Sequence, residues 1–296
     1  MGIHRFRIVN VFTYRRGALT GNPLCVFEDG AELDSTTMQA LARQFNLSET
    51  TFILPSTRAA ARVRIFTPAY EMPFAGHPTL GTAHVCRALK LGPDALRLEM
   101  QAGIIPVDAS GDRWTLTALQ PTWREVEEPR SVLAQALGLE PADLAERPLW
   151  VKSGKEQLVV PLATEDAVRR AQPQFGALSA IRSEDGISMA YVFAERGTMG
   201  APRSAASPPP GARRTLARFF FPQNGSMMED PATGSATANF GGWCLAAGWP
   251  LPLDVEIAQG EQVARPSTLY LGIDAERHIR VGGDVIELGR GALHLA

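Results

Sequence analysis

Two stretches of this chain repeat each other, and that duplication limits the fold more than any other feature of the sequence. Arg64-Ile-Phe-Thr-Pro68 resembles Arg218-Phe-Phe-Phe-Pro222, a displacement of 154 (218 − 64). Pro78-Thr-Leu-Gly-Thr-Ala83 resembles Pro231-Ala-Thr-Gly-Ser-Ala236, a displacement of 153 (231 − 78). Each copy runs into a helix-length segment that ends near a glycine, Gly92 or Gly248. A single six-residue match would be coincidence in a Gly- and Pro-rich chain. Two matches at nearly one displacement, in the same strand–loop–helix order, point to one domain written twice. The length of 296 residues suits that reading, at roughly 150 residues per domain.

The repeated helices say where chemistry belongs. Residues 79–90, with Leu80, Ala83, Val85, Cys86, Ala88 and Leu89, are apolar nearly all round, and residues 235–247 contain no charged side chain. Such helices must be wrapped by sheet, because a surface helix shows one apolar stripe. The first N–H groups of a wrapped helix have no intrahelical partner, and the partial positive charge there favours a carboxylate. If the two domains face each other, two such ends converge on one cleft. In this alignment the residue before the shared proline is His77 in one copy and Asp230 in the other, which predicts an asymmetric acid/base site.

The rest of the chain reads as strands with few helices. A helix over roughly 35–45 is predicted from Met38, Leu41, Ala42 and Phe45 on one face, with Asp34 or Ser35 as cap. Residues 121–129 (PTWREVEEP) read as a polar crossover between domains, and two short helices are expected at 165–171 and 175–181. Residues 197–213 (GTMGAPRSAASPPPGAR) are a low-complexity insertion expected to be a mobile loop. Twenty-nine basic against 31 acidic residues leave a net charge of −2, which argues against nucleic-acid or membrane-surface partners. No apolar run approaches the roughly 18 residues of a membrane span, and the first residues lack a signal-peptide core. Cys25, Cys86 and Cys244 are too few and too scattered for a disulfide framework. His4, His84, His278 and His294 have no companions at metal-ligand spacing, and no glycine pattern fits a nucleotide loop. A cytoplasmic protein that handles a small molecule, without metal or cofactor, is the expectation.

Several stretches, taken together, resemble a known family. They are Val9-Asn-Val-Phe12 with Gly21-Asn-Pro23, Leu47-Ser-Glu-Thr-Thr-Phe52, Glu71-Met-Pro-Phe-Ala-Gly-His-Pro-Thr79, Glu229-Asp-Pro-Ala-Thr-Gly-Ser-Ala236, Gln259-Gly260, Arg265-Pro-Ser267 and Val281-Gly-Gly283. In this order, across nearly the full chain, they resemble the PhzF-like phenazine-biosynthesis proteins, relatives of diaminopimelate epimerase. The resemblance implies an α+β fold of two pseudo-symmetric domains, each a curved sheet around a central helix. The expected domains are 1–122, completed by about 284–296, and 123–283. It also implies cofactor-independent isomerisation and a homodimer. The family's founding substrate is trans-2,3-dihydro-3-hydroxyanthranilate, a small cyclic carboxylate. The family's general acid/base maps onto Glu49, and its substrate contacts map onto Ser48, Gly76, His77, Asp230, Gly234 and Ser235.

Epimerase relatives use two cysteines, one at each helix start, whereas this chain has Ala75-Gly76-His77 and Asp230-Pro231-Ala232 there. A one-base mechanism therefore fits better than a two-thiol one. A carboxyl group that takes a proton from carbon must be desolvated, and Leu47, Phe52 and Leu54 are expected to surround Glu49 for that purpose. Without the family, Glu49 reads as a surface turn, His77 as a loop histidine bonded to backbone, and Asp230 and Ser235 as helix-start residues. Two other readings compete: a two-base epimerase pairing Glu49 with Asp230, and a non-catalytic metabolite-binding protein that kept the cleft.

Overall fold

The computed structural model describes residues 2–145, 147–196 and 212–295, so the low-complexity stretch 197–213 lies, but for its last two residues, outside the described residues. The chain divides into two compact units: Met1–Thr117 with Gly282–Ala296, and Ala118–Val281.

In the first unit, β1 (Gly2–Val11) is antiparallel to β2 (Asn22–Phe27). Helix α1 (Ser35–Phe45) returns the chain so that β3 (Glu49–Leu54) runs parallel to β2. Asp34 caps α1 by accepting from the Thr37 N–H, and Met38, Leu41 and Ala42 form the buried stripe. β4 (Ala61–Phe66) is antiparallel to β3, and the two-residue β5 (Glu71–Met72) pairs with β4. After α2 (Gly76–Ala88), β6 (Ala95–Met100) runs parallel to β4, and β7 (Gly103–Ser110) and β8 (Arg113–Thr117) extend the sheet antiparallel. Strands β1, β2, β3, β4, β6 and β8 all touch α2, which explains why its sequence has no polar face.

The second unit starts with β9 (Thr122–Glu125). A helix that the sequence reading missed follows, α3 (Arg130–Ala136), burying Leu133, Ala134 and Ala136. It has under two turns and no side-chain cap, so no start signal marks it. β10 (Leu149–Lys152) is antiparallel to both β9 and β11 (Glu156–Pro161). Helices α4 (Glu165–Arg170) and α5 (Phe175–Ala180) lead to β12 (Ala190–Glu195), parallel to β11. β13 (Arg213–Gln223) is antiparallel to β12 and β14 (Ser226–Asp230) to β13. After α6 (Gly234–Ala246), β15 (Leu253–Gln259) runs parallel to β13, and β16 (Ser267–Ile273) is antiparallel to β15. Every residue of α6 from Ala236 to Leu245 is buried. The last strand, β17 (Ile279–Leu295), passes into the first unit and pairs with β1, Gly2 opposite Leu295.

The order of pairings in β2-α1-β3-β4-β5-α2-β6-β7 recurs in β11-α4-α5-β12-β13-β14-α6-β15-β16, parallel for parallel and antiparallel for antiparallel. Details repeat too. Arg64 grips Glu71 through Nε and Nη2 at 2.7 and 2.6 Å, and Arg218 grips Glu229 the same way at 3.0 and 2.7 Å. Each guanidinium lies over a phenylalanine two residues on, Phe66 at 5.0 Å and Phe220 at 4.6 Å. Both helices end on a left-handed residue, Lys90 (φ 61°) or Gly248 (φ 71°), and the next N–H closes back on a buried cysteine carbonyl. Those closing bonds are Leu91 N to Cys86 O at 2.9 Å and Trp249 N to Cys244 O at 3.0 Å.

These pairs correct the register of the duplication. Gly76 and Gly234 open the two helices, a displacement of 158 (234 − 76), and the Cys86/Cys244 and Glu71/Glu229 pairs keep it. The displacement is 154 only before the β4–β5 and β13–β14 hairpins, because the second hairpin is longer. The counterpart of His77 is therefore Ser235, and that of Asp230 is Met72; His77 and Asp230 are not equivalent. The misleading match aligned Pro78 with Pro231. Pro78 lies inside the first turn of α2, where proline is tolerated, while Pro231 precedes α6.

Candidate active site

Glu49 is the first residue of β3, next to α2. Strand alternation puts Glu49, Thr51 and Ile53 on one face and Thr50, Phe52 and Leu54 on the other. Thr51 shares a hydrogen bond with Thr82 of α2 (Oγ1–Oγ1, 2.8 Å), so the Glu49 face looks at the central helix. Phe52 instead packs with Phe27, Met38, Leu41 and Ala42, and Leu47 and Leu54 join that cluster against α1. The apolar wall expected around Glu49 thus lies on the opposite face of the strand, as the two-residue period requires.

What meets Glu49 is His77, in the first turn of α2. His77 Nδ1 lies 3.1 Å from Glu49 Oε2, with the His77 side chain only 6% exposed and that of Glu49 17%. The contact has the distance of an ion pair but not the alignment of a hydrogen bond. Glu49 Oε2 and, on the other nitrogen of the ring, His77 Nε2 are both buried without a hydrogen-bond partner. Buried polar atoms are rarely left so, because the desolvation goes uncompensated at a cost of about 1–3 kcal/mol each. Ser48, exposed at the end of the preceding turn, donates to Asn22 Oδ1 at 3.5 Å. Gly76 is the first residue of α2, whose N-cap, Ala75, has no side chain to satisfy the helix amides. Thr79 Oγ1 donates back to the Ala75 carbonyl at 2.6 Å and offers those amides nothing. The first unit thus brings Ser48, Glu49, Gly76 and His77 together.

The second unit groups Asp230, Gly234 and Ser235. Asp230 ends β14, and its carboxylate accepts from the Thr233 hydroxyl. Gln259 braces this turn: its Nε2 donates to the Asp230 carbonyl at 2.9 Å and to Thr233 Oγ1 at 3.0 Å, while its Oε1 accepts from the Thr233 N–H at 3.3 Å. Gly260 follows at φ +82°, where a Cβ would stand 2.5 Å from the Pro231 carbonyl oxygen, so only glycine lets the strand end come this close. Thr233 is the N-cap of α6 but spends its hydroxyl on Asp230, so this helix start also lacks a side-chain cap. Ser235 is exposed, and its Oγ accepts from Gln157 Nε2 at 3.2 Å. Gln157 and Asn239 were not among the expected site residues, and Gln259 and Thr233 entered only within the family-like stretches, with no role assigned. The signal for Asn239 was available: it stands one helical turn after Ser235 in a helix otherwise free of long polar side chains.

Neither cysteine near the helices suits proton transfer. Cys86 and Cys244 sit ten residues beyond Gly76 and Gly234 respectively, fully buried. Burial pushes the Cys86 thiol up to about 12 and the Cys244 thiol well above its ordinary value. Their burial and their place well inside the helices argue against a two-thiol mechanism.

Solved structures share the architecture. A PhzF-family phenazine biosynthesis protein from Bacillus anthracis superposes with a TM-score of 0.84 at 22% identity, covering all of both chains. A hydroxyproline epimerase from Agrobacterium vitis superposes with a TM-score of 0.59 at 14% identity, covering 99% of this chain and 93% of that one. The fold is the α+β, doubled epimerase-like fold. In sequence, the chain is 35% identical over 295 residues to an uncharacterized isomerase of Pasteurella multocida, covering 98% of this chain and 94% of the relative. It is 34% identical over 278 residues to the trans-2,3-dihydro-3-hydroxyanthranilate isomerase of Pseudomonas aeruginosa, covering 90% of each. The protein is thus an isomerase. Residues 9–289 match the phenazine biosynthesis-like proteins, and the chain belongs to that family, the PhzF type. Among the described residues, no helix is long and apolar enough to cross a membrane.

Proposed function

We propose that this isomerase moves a proton on a small cyclic carboxylate bearing an amino or hydroxyl group, with Glu49 as the single general acid/base. The observation that carries the reading is the buried, unpartnered Glu49 Oε2 against His77. A carboxylate oxygen held out of water without a hydrogen-bond partner is suited to taking a proton from carbon. In the proposed reaction Glu49 removes a proton from a C–H carbon. The electron pair left behind shifts through the adjacent double bond, and protonated Glu49 returns the proton to the carbon where that charge arrives. Atoms and charge balance with no other reagent. His77 orients the substrate and the carboxyl group. The amides at Gly76 and Gly234 and the hydroxyls of Ser48 and Ser235 receive its acceptor oxygens, and Asp230 accepts from its amine or hydroxyl. The similarity to a trans-2,3-dihydro-3-hydroxyanthranilate isomerase supports this substrate class and makes that compound the first to assay.

Glu49→Gln keeps the shape of the side chain and removes the base. Turnover of trans-2,3-dihydro-3-hydroxyanthranilate, followed by proton NMR, should fall by about 10²–10⁴-fold with little change in melting temperature. Retained turnover would sink the assignment. In deuterated water, a single base shielded from solvent returns part of the original hydrogen to the product. Complete solvent label with inversion at one carbon would favour a two-base epimerase instead.

A further inference from the structure

The second unit contains a chain of buried amides whose polarity is set by the backbone. Asn239 of α6 and Gln157 of β11 are 1% and 2% exposed. The Ser153 N–H donates to Asn239 Oδ1 at 2.7 Å, and Asn239 Nδ2 donates to the Lys155 carbonyl at 3.0 Å. A backbone N–H can only donate and a backbone carbonyl can only accept, so these two contacts decide which end of the Asn239 amide is oxygen. Asn239 Nδ2 also meets Gln157 at 2.8 Å and can meet only an acceptor, which forces Gln157 to present Oε1. The Gln157 NH₂ is then left facing Ser235 Oγ at 3.2 Å. An amide NH₂ has no acceptor to offer, so Ser235 must accept there, and its own proton is directed away from Gln157.

The scaffold does not require these amides. In the first unit the corresponding positions are Leu24 on β2 and Gly81 on α2, packed directly on each other: a Cβ on Gly81 would come within 2.6 Å of Leu24 Cδ2. The same strand–helix contact is filled there by an apolar pair. That unit's residue at the Ser235 position is His77, which has Glu49 for a neighbour.

We infer that Gln157 and Asn239 are positioning residues that lock Ser235 as a hydrogen-bond donor, so that the second unit selects an acceptor oxygen of the substrate, a carboxylate, over an amine. The inference rests on the placement of Ser235 in the substrate site proposed above. Ser235 is exposed in the first turn of α6, so a hydroxyl proton not directed at Gln157 can reach a ligand.

The variant that tests it is Gln157→Glu, which keeps the shape but replaces the NH₂ with an acceptor and turns the Ser235 proton inward. The probe is 3-hydroxyanthranilate, its affinity measured by calorimetry. Gln157→Glu should weaken binding by ~10- to 100-fold in the wild-type background, the range for losing a hydrogen bond to a charged group. In a Ser235→Ala background it should weaken binding by no more than ~3-fold, because no hydroxyl is left to misdirect. An equal loss in both backgrounds would mean simple repulsion by the new charge and would overturn the inference. A neutron structure of the wild-type protein decides independently of folding or ligand. Deuterium on Ser235 Oγ directed away from Gln157 supports the lock, and deuterium between Ser235 Oγ and Gln157 overturns it. If the wild-type protein does not bind 3-hydroxyanthranilate, the proposed substrate class fails, while the neutron result still decides the orientation of the hydroxyl.

Discussion

The two central helices start alike and are furnished in opposite ways. At the start of α2 the side chains are titratable: His77 beside Glu49, each with one buried atom left unpartnered. At the start of α6 nearly everything is paired: Asp230 to Thr233, Thr233 to Gln259, Ser235 to Gln157, Gln157 to Asn239. The same backbone occurs twice, with a titratable pair at one helix start and a hydrogen-bonded set at the other. An unsatisfied carboxylate is poorly suited to fold stability and well suited to accepting a proton. A satisfied amide chain does no chemistry but holds a donor in one direction.

The clasps that open each repeat offer the strongest way to break this comparison. Arg218 and Glu229 are 10% and 9% exposed, and Arg218 Nη1 also serves the carbonyls of Val168, Arg169 and Ala171. Arg64 and Glu71 are 17% and 32% exposed, and Arg64 adds only Ser35 Oγ. Arg218→Met strands a buried carboxylate and should cost about 3–5 kcal/mol in urea unfolding. Arg64→Met should cost less than half of that, and equal losses would show that the repeats carry the same load. Next in size is Gly81→Ala. Its methyl group would meet Leu24 at 2.6 Å and Val11 at 3.0 Å, so about 1–3 kcal/mol of overpacking is expected, read as a lower melting temperature.

The smallest effect concerns the equivalent cysteines. Burial raises both thiols in the folded chain above the value of an exposed thiol, so the folded state holds its protons to higher pH. That contribution is complete below about pH 9 and is lost as pH rises toward 12, because there the unfolded chain sheds protons that the folded chain keeps. Stability measured by urea between pH 8 and 10.5 should therefore decline, and the decline should be shallower in Cys86→Ala. An unchanged slope would mean that Cys86 is not protected as its burial implies.

Much of the fold was legible in the sequence, and the misreadings have physical causes. Both central helices stood out because a helix wrapped by strands has no polar face, and α1 stood out because it has one apolar stripe. Helix α3 escaped because Arg130–Ala136 is too short for a periodic pattern and opens without a cap. The repeat was legible, but its register was not, since the literal match of Pro78 with Pro231 outweighed the weaker Glu71/Glu229 and Gly76/Gly234 correspondences. Pairing Glu49 with Phe52 and Leu54 ignored strand alternation, which sends those side chains to α1. The Glu49–His77 contact joins residues 28 positions apart in sequence (77 − 49), and no local pattern predicts it. The family resemblance brought both residues forward, and the fold sets them 3.1 Å apart.

The final strand has a consequence for how the molecule is made. β1 is translated before the whole of the second unit, and one of its partners, β17, is completed only after it. The unit from Ala118 to Val281 is fully translated before Gly282–Ala296 exists. The middle of the chain can therefore finish folding while the beginning still waits with the edge of β1 uncovered. Synthesis of Gly282–Ala296, rather than of the first hundred residues, completes the half carrying Glu49 and His77.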